Sequence, residues 1–323
     1  MEKKVLNTEN QILGSDLRIS MGPHIKDTNT TTKLMLDVII ALIPAIIGSV
    51  YFFKLKAVIL LLTCVLSCVV FEGLTQKVLK KPIRIKDLSA VVTGILLAFN
   101  LPADAPVWMA VFGSACAIIL IKECFGGIGF NFINPALGAR AMLMASWPRI
   151  MGTYVSPDGL SGPTPLQLIK AGTEAKLPPI FDMAMGNIGG VIGETSAILL
   201  AIGGLYLIIR KVIDWETPVI YIATTAILLP LLGVDISLMP YEILGGGLFL
   251  GAIFMATDYA TSPMTKQGKI VFALGCGILT ALIRTKGQMP EGVSYAILLM
   301  NVFTPTIDKF MKSRVFGEVK VKK

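Results

Sequence analysis

Apolar residues fall in long blocks near 35–53, 57–73, 87–100, 105–121, 132–147, 187–209, 217–233, 241–257, 268–283 and 292–308. Short polar, charged or Gly/Pro-containing stretches separate them. Crossing the ~30 Å hydrocarbon core of a bilayer takes about 20 apolar residues in a helix, so the pattern predicts an all-α integral membrane protein with about ten transmembrane helices. The blocks at 87–100 and 132–147 are short. They predict half-helices, or helices broken near the bilayer midplane. One long hydrophilic interval, 148–185, interrupts the series, and it is where the chemistry is expected.

Composition agrees with lipid as the solvent. Hydrophobic residues make up 54% of the 323 residues and charged residues only 15%, against about 25% charged in a soluble domain. The net charge of +8 is spread in short clusters between apolar runs, as juxtamembrane charges are. No aromatic-rich basic surface is visible, which argues against nucleic acid as a partner. With the N-terminus in the cytoplasm and ten spans alternating, Lys and Arg favour the inside by roughly three to one, as the positive-inside rule requires. Both termini are then cytoplasmic and the 148–185 loop is external. The first 33 residues lack the layout of a secretory signal.

These readings divide the chain into a cytoplasmic segment 1–33, a five-helix half 34–147, the external loop 148–185, a second five-helix half 186–309 and a basic tail 310–323. Five spans per half force the halves into opposite orientations. An echo between them points to an inverted repeat: Gly94–Pro102 and Gly251–Pro263 each end in a polar break, and Asn134-Pro135 is matched by Asn301 with Pro305.

Several chemistries are excluded or disfavoured. His24 is the only histidine, which rules out a multi-histidine metal site, and no metal ligand set is assigned. Cys64, Cys68, Cys116, Cys124 and Cys276 lie in or at the ends of apolar runs and contain no C-x-x-C spacing, so they read as small buried hydrophobes. The glycines at 126–129, 186–193 and 245–251 read as helix-packing positions. The exception is Gly126–Gly129, which precedes Asn131 and Asn134-Pro135, so backbone and amide groups are placed to converge on a ligand there. Ionisable residues within lipid are functional candidates by default. Asp258 leads, followed by Arg140, Glu194 and Asp37, and for each the plainer reading is an interfacial residue or a buried pair.

Within the loop, Asp158-Gly159 and Ser161-Gly162 mark tight turns. Pro163 and Pro165 hold Thr164 extended, predicting an accessible hydroxyl on a rigid turn. Taken alone, this describes a structural loop.

The stretch Asp158, Ser161, Gly162, Thr164 resembles the flavinylation motif Asp-x-x-Ser/Thr-Gly-Ala-Thr, with Pro163 where alanine is usual. Three other stretches, Gly22-Pro23-His24-Ile25, Gly129–Ala136 and Met255–Pro263, resemble the same family. Together with the spans they resemble the D subunits of Rnf complexes, the ion-translocating ferredoxin:NAD oxidoreductases. Related B subunits of sodium-translocating NADH:quinone oxidoreductases usually carry a longer N-terminal extension.

The resemblance implies two inverted five-helix repeats similar to urea channels. It implies FMN joined by a phosphoester to Thr164, attached by a dedicated flavin transferase, and Rnf-type subunits as partners. It also implies a second, non-covalent flavin, riboflavin, for which the amides of Asn131 and Asn134 are the expected ligands. Asp258 is the expected ion-coupling residue, and no catalytic residue is assigned. The rival readings are a cofactor-free solute or ion transporter, which broken spans and Asp258 fit equally well, and a structural membrane scaffold.

Overall fold

The computed structural model describes residues 30–157, 161–173, 177–194 and 196–311. Helix α1, Thr31–Val78, would extend about 72 Å if straight, more than twice the bilayer core. It does not run straight. Lys54 has non-helical φ/ψ and divides it into arms 31–53 and 55–78. Thr32 Oγ1 donates to Lys86 O at 3.4 Å, so the second arm returns to where the first began. A short turn of helix at Ile85–Asp87 leads into α2, Ser89–Phe99. Next come α3, Val107–Ala115, continuing in wider π geometry to Glu123, and α4, Pro135–Ser146.

The interval read as a loop contains short elements of its own: α5 (Pro148–Met151), β1 (Tyr154–Val155), β2 (Ser161–Gly162), α6 (Pro165–Lys170) and α7 (Ile180–Met185). The two strands pair antiparallel, Tyr154 opposite Gly162. This small hairpin is the one departure from the all-α expectation among the described residues.

The second half holds a helical turn at Ile192–Glu194, then α8 (Ala197–Ile209) and α9 (Glu216–Leu231). A bent pair follows: α10 (Met239–Leu244) and α11 (Leu248–Leu250), the latter extended to Met255 in π geometry. The long helices α12 (Lys266–Lys286) and α13 (Val293–Phe310) end the described chain. Gly246 and Gly247, both at φ +66°, provide the left-handed backbone of the 56° bend.

Each apolar block of the sequence falls on one of these helical stretches. By length and composition α1 and α12 suffice to cross a membrane, and the bent pair makes a third such unit. α2, α8 and α9 are apolar but shorter. Their outward faces are apolar too: Ile47, Leu66, Leu205 and Ile227 are each more than half exposed. Such a surface is untenable in water over so many helices and is what a helix bundle in lipid presents.

Close helix approach follows from glycine, as the sequence predicted. A Cβ on Gly94 would strike the backbone of Val65, and one on Gly203 the carbonyl of Ala41. Cys64, Cys68, Cys116 and Cys276 are buried and unbridged, and Cys124 is exposed.

Side-chain contacts sort the bundle into two ends. Gln76 with Glu123, Lys269 with Asp214 and Thr304 with Thr261 mark one, here termed the basic end. Lys56 with Asp104, Ser49 with Ile192 and Lys170 with Gly287 mark the other, the loop end.

Candidate functional site

Two recesses hold most of the sequence-predicted residues, one at each end.

At the loop end, Thr164 is extended (φ −67°, ψ 157°), as its flanking prolines require. Its hydroxyl is not displayed to solvent. Thr164 is 3% exposed, which corrects the accessible-hydroxyl expectation. The reason is local: Pro165 is the first residue of α6, so Thr164 becomes the N-cap. Its Oγ accepts from Gln167 N at 3.3 Å, while Gln167 Oε1 accepts from Thr164 N at 3.0 Å. This is a reciprocal capping box. Among the described residues the hydroxyl donates to nothing. Space also lies open at Gly162, where an added Cβ would meet no atom within 4 Å. Ser161 and Gly162 form β2, and Asp158 lies outside the described residues, as does Gly22–Ile25.

Gln167 also lines a cleft with Arg140, Tyr154, Gln288, Glu291 and Tyr295. Arg140, foreseen as a candidate, pairs with Glu291 and donates to Asn100 Oδ1 at 2.7 Å. Tyr154 donates to Glu291 Oε1 at 2.9 Å. Burial, and then the Glu291 charge, push the Tyr154 phenol well above its ordinary value, so it stays a donor. Below this cluster Arg284, 5% exposed, pairs with Glu242 and donates to the carbonyls of Gly245 and Gly246. It thereby clamps the bend between α10 and α11.

At the basic end, Asn131, Asn134 and Asp258 line one cavity, together with Ser89, Thr93 and Lys122. Three residues chosen separately from the sequence thus meet. Each also has a structural task. Asn134 caps α4, its Oδ1 accepting from Ala136 N and Leu137 N at 3.1 and 3.3 Å. Its NH₂ takes no part in the cap. Asn131 Nδ2 donates to Ile133 O at 3.2 Å. Asp258 accepts from Ala260 N at 3.3 Å and from the Thr261 hydroxyl at 3.2 Å, a local turn of the kind aspartate favours. Asp37 accepts from Tyr206 and Arg210, the paired alternative foreseen for it. Asn301, with its amide turned to satisfy both neighbours, joins Asn134 N at 3.1 Å and Thr261 O at 3.3 Å.

Sequence reasoning missed the buried pair Lys122–Glu72, in which Lys122 also donates to Ser89 Oγ at 2.6 Å. A signal existed. Cys64, Cys68, Glu72 and Gln76 recur every four residues and are all buried, so Glu72 shares the buried helix face of the two cysteines.

With this geometry in view, comparison with known proteins is decisive. Residues 18–317 match the NQR2, RnfD, RnfE family. The chain belongs to that family. A relative from Acetobacterium woodii, named as the D subunit of a Na⁺-translocating ferredoxin:NAD⁺ oxidoreductase complex, is 51% identical over 95% of this chain and 98% of its own length. One from Clostridium ljungdahlii, named as the D subunit of a proton-translocating ferredoxin:NAD⁺ oxidoreductase complex, is 43% identical over 96% and 98%. A third, from Halorhodospira halophila, is named as the D subunit of an ion-translocating oxidoreductase complex. It is 35% identical over 93% and 95%. The family spans both recesses and every helix described above.

Proposed function

We propose that this chain is the membrane flavoprotein subunit of an ion-translocating ferredoxin:NAD⁺ oxidoreductase, carrying electrons through FMN esterified to Thr164. The observation that carries the reading is the near end-to-end similarity to subunits so named, of which one is Na⁺-translocating and one proton-translocating. The ten helical stretches form two inverted five-helix repeats, 34–147 and 186–309, around an external segment 148–185. The 1–33 segment and the 310–323 tail are cytoplasmic. Other Rnf-type subunits, a flavin transferase and the cell-membrane bilayer are the partners.

The residues at the loop end fit such a group. The cleft opens beside the attachment point, since its Gln167 is bonded to Thr164. The Thr164 oxygen serves the cap as an acceptor, a role an ester oxygen retains, and its proton is committed to no acceptor among the described residues. Attachment requires the residues packed over Thr164 to move aside, or the bond to form before they pack. The flavin ring, when bound, supplies the redox chemistry. Tyr154, Gln288 and Gln167 bind and orient, and the Arg140–Glu291 pair closes the cleft floor.

Riboflavin would be held at the apolar-lined cavity of the basic end, with the NH₂ of Asn134 and the carbonyl oxygen of Asn131 as its polar ligands. Asp258, on the same cavity, is placed to couple an ion to it.

In-gel fluorescence of the denatured protein tests the reading. Wild type should fluoresce and Thr164→Ala should be dark. A dark wild type, or a fluorescent Thr164→Ala protein, would refute covalent FMN at this residue. A colourless purified complex would favour the cofactor-free transporter.

A further inference from the structure

Glu194 is 7% exposed, and among the described residues its Oε1 has no hydrogen-bond partner. The position is built for a carboxylate. A Cβ on Gly247 would lie 3.1 Å from Oε1, and one on Gly190 3.1 Å from Oε2, so two glycines leave the space in which the group sits.

Glu194 also lies where two helix breaks converge. One is the end of α2: Ile192 N donates to Leu101 O at 3.1 Å, Val191 bridges Pro102, and a Cβ on Gly193 would overlap Phe99. The other is the bend at Gly245–Gly247. Interrupted helices that meet inside a bundle are how membrane transporters expose polar groups to a small solute.

Charge points the same way. The charged groups facing Glu194 are Glu291, Arg140 and Arg284, with Tyr154 beside them. Arg140 is spent on Glu291 and Arg284 on Glu242. Lys170, at the exposed rim, is bound by the carbonyls of Gly287 and Met289. No cation among the described residues is left for Glu194. A buried carboxylate oxygen with no ion-pair partner of its own is costly to leave bare.

We propose that Glu194 is a binding site for a monovalent cation, a proton or Na⁺, at the junction of the two broken helices. The proposal does not require the flavin. It extends the ion-translocating part of the function above and places a cation site at the loop end, opposite Asp258.

The test uses the purified whole complex in liposomes. Dicyclohexylcarbodiimide, which captures protonated carboxyls in apolar surroundings, should label the Glu194 peptide less as pH rises. Protection by NaCl but not KCl assigns Na⁺, and protection by neither assigns the proton. Glu194→Gln should keep flavin fluorescence and electron transfer while losing ion movement per electron. Wild-type ion movement in Glu194→Gln overturns the proposal. If that variant does not assemble, Glu194→Asp serves: a shifted pH profile of ion movement supports the site, and an unshifted one overturns it. A wild type without flavin would defeat the flavoprotein reading and leave the labelling result to decide this one.

Discussion

At the loop end, Arg140 and Arg284 each meet a carboxylate inside the bundle, and Tyr154 and Asn100 complete the set. At the basic end, Asn131, Asn134 and Asp258 line an open cavity, and their hydrogen bonds go to nearby backbone or the next turn. Both places lie at interrupted helices. The loop end joins elements distant in sequence through ionic contacts. At the basic end the side chains of Asn131, Asn134 and Asp258 bond locally and leave room for a ligand, while Lys122–Glu72 and Asn301 fasten distant elements beside them. Polarity in a membrane bundle therefore serves two ends: fastening segments together, and lining space.

If that distinction holds, the largest loss comes from unfastening the loop end. Arg140→Met strands Glu291 in the interior, and leaving a buried charge unpaired costs about 3–5 kcal/mol. The expected result is a collapse in the yield of monodisperse protein on size exclusion in detergent. A wild-type profile would mean that the pair contributes little to holding α4 to α13.

Tyr154→Phe is the next step down. It removes one donor from Glu291 and should cost about 1–3 kcal/mol, read as a lower thermal midpoint of the purified complex. An unchanged midpoint would show that Glu291 does not depend on the hairpin.

The two ends were not equally legible in the sequence. Asn131, Asn134 and Asp258 announced themselves because their neighbours are polar, Gly-rich or Pro-containing within a few positions. Of the loop-end cluster only Arg140 stood out, as an ionisable residue in an apolar block; its partner did not, because Arg140 and Glu291 lie 151 residues apart and nothing local marks Glu291. Lys122 pairs with Glu72 from 50 residues away, a separation that hides the pair in the same way. The apolar blocks foretold the helices well, since burial in lipid needs only composition. They could not foretell the hairpin of α1 at Lys54 or the short helices inside 148–185. Thr164 shows both sides: its extended backbone followed from two prolines, but its burial depended on Pro165 beginning a helix.

The smallest expected effect belongs to the basic end. Asn134→Ala loses the cap of α4, worth about 1 kcal/mol, and should lower non-covalent riboflavin in the purified complex well beyond that modest change in stability. Riboflavin content equal to wild type, by extraction and chromatography, would remove Asn134 from the ligand set and weaken the contrast between the ends.

The central claim is that Thr164, a buried N-cap, carries FMN. Intact mass of the purified protein, followed by peptide mapping, tests it most directly. The expected result is an FMN-sized increment on the peptide holding Thr164 and its absence in Thr164→Ala. An unmodified wild-type mass, or an increment on another peptide, would contradict it.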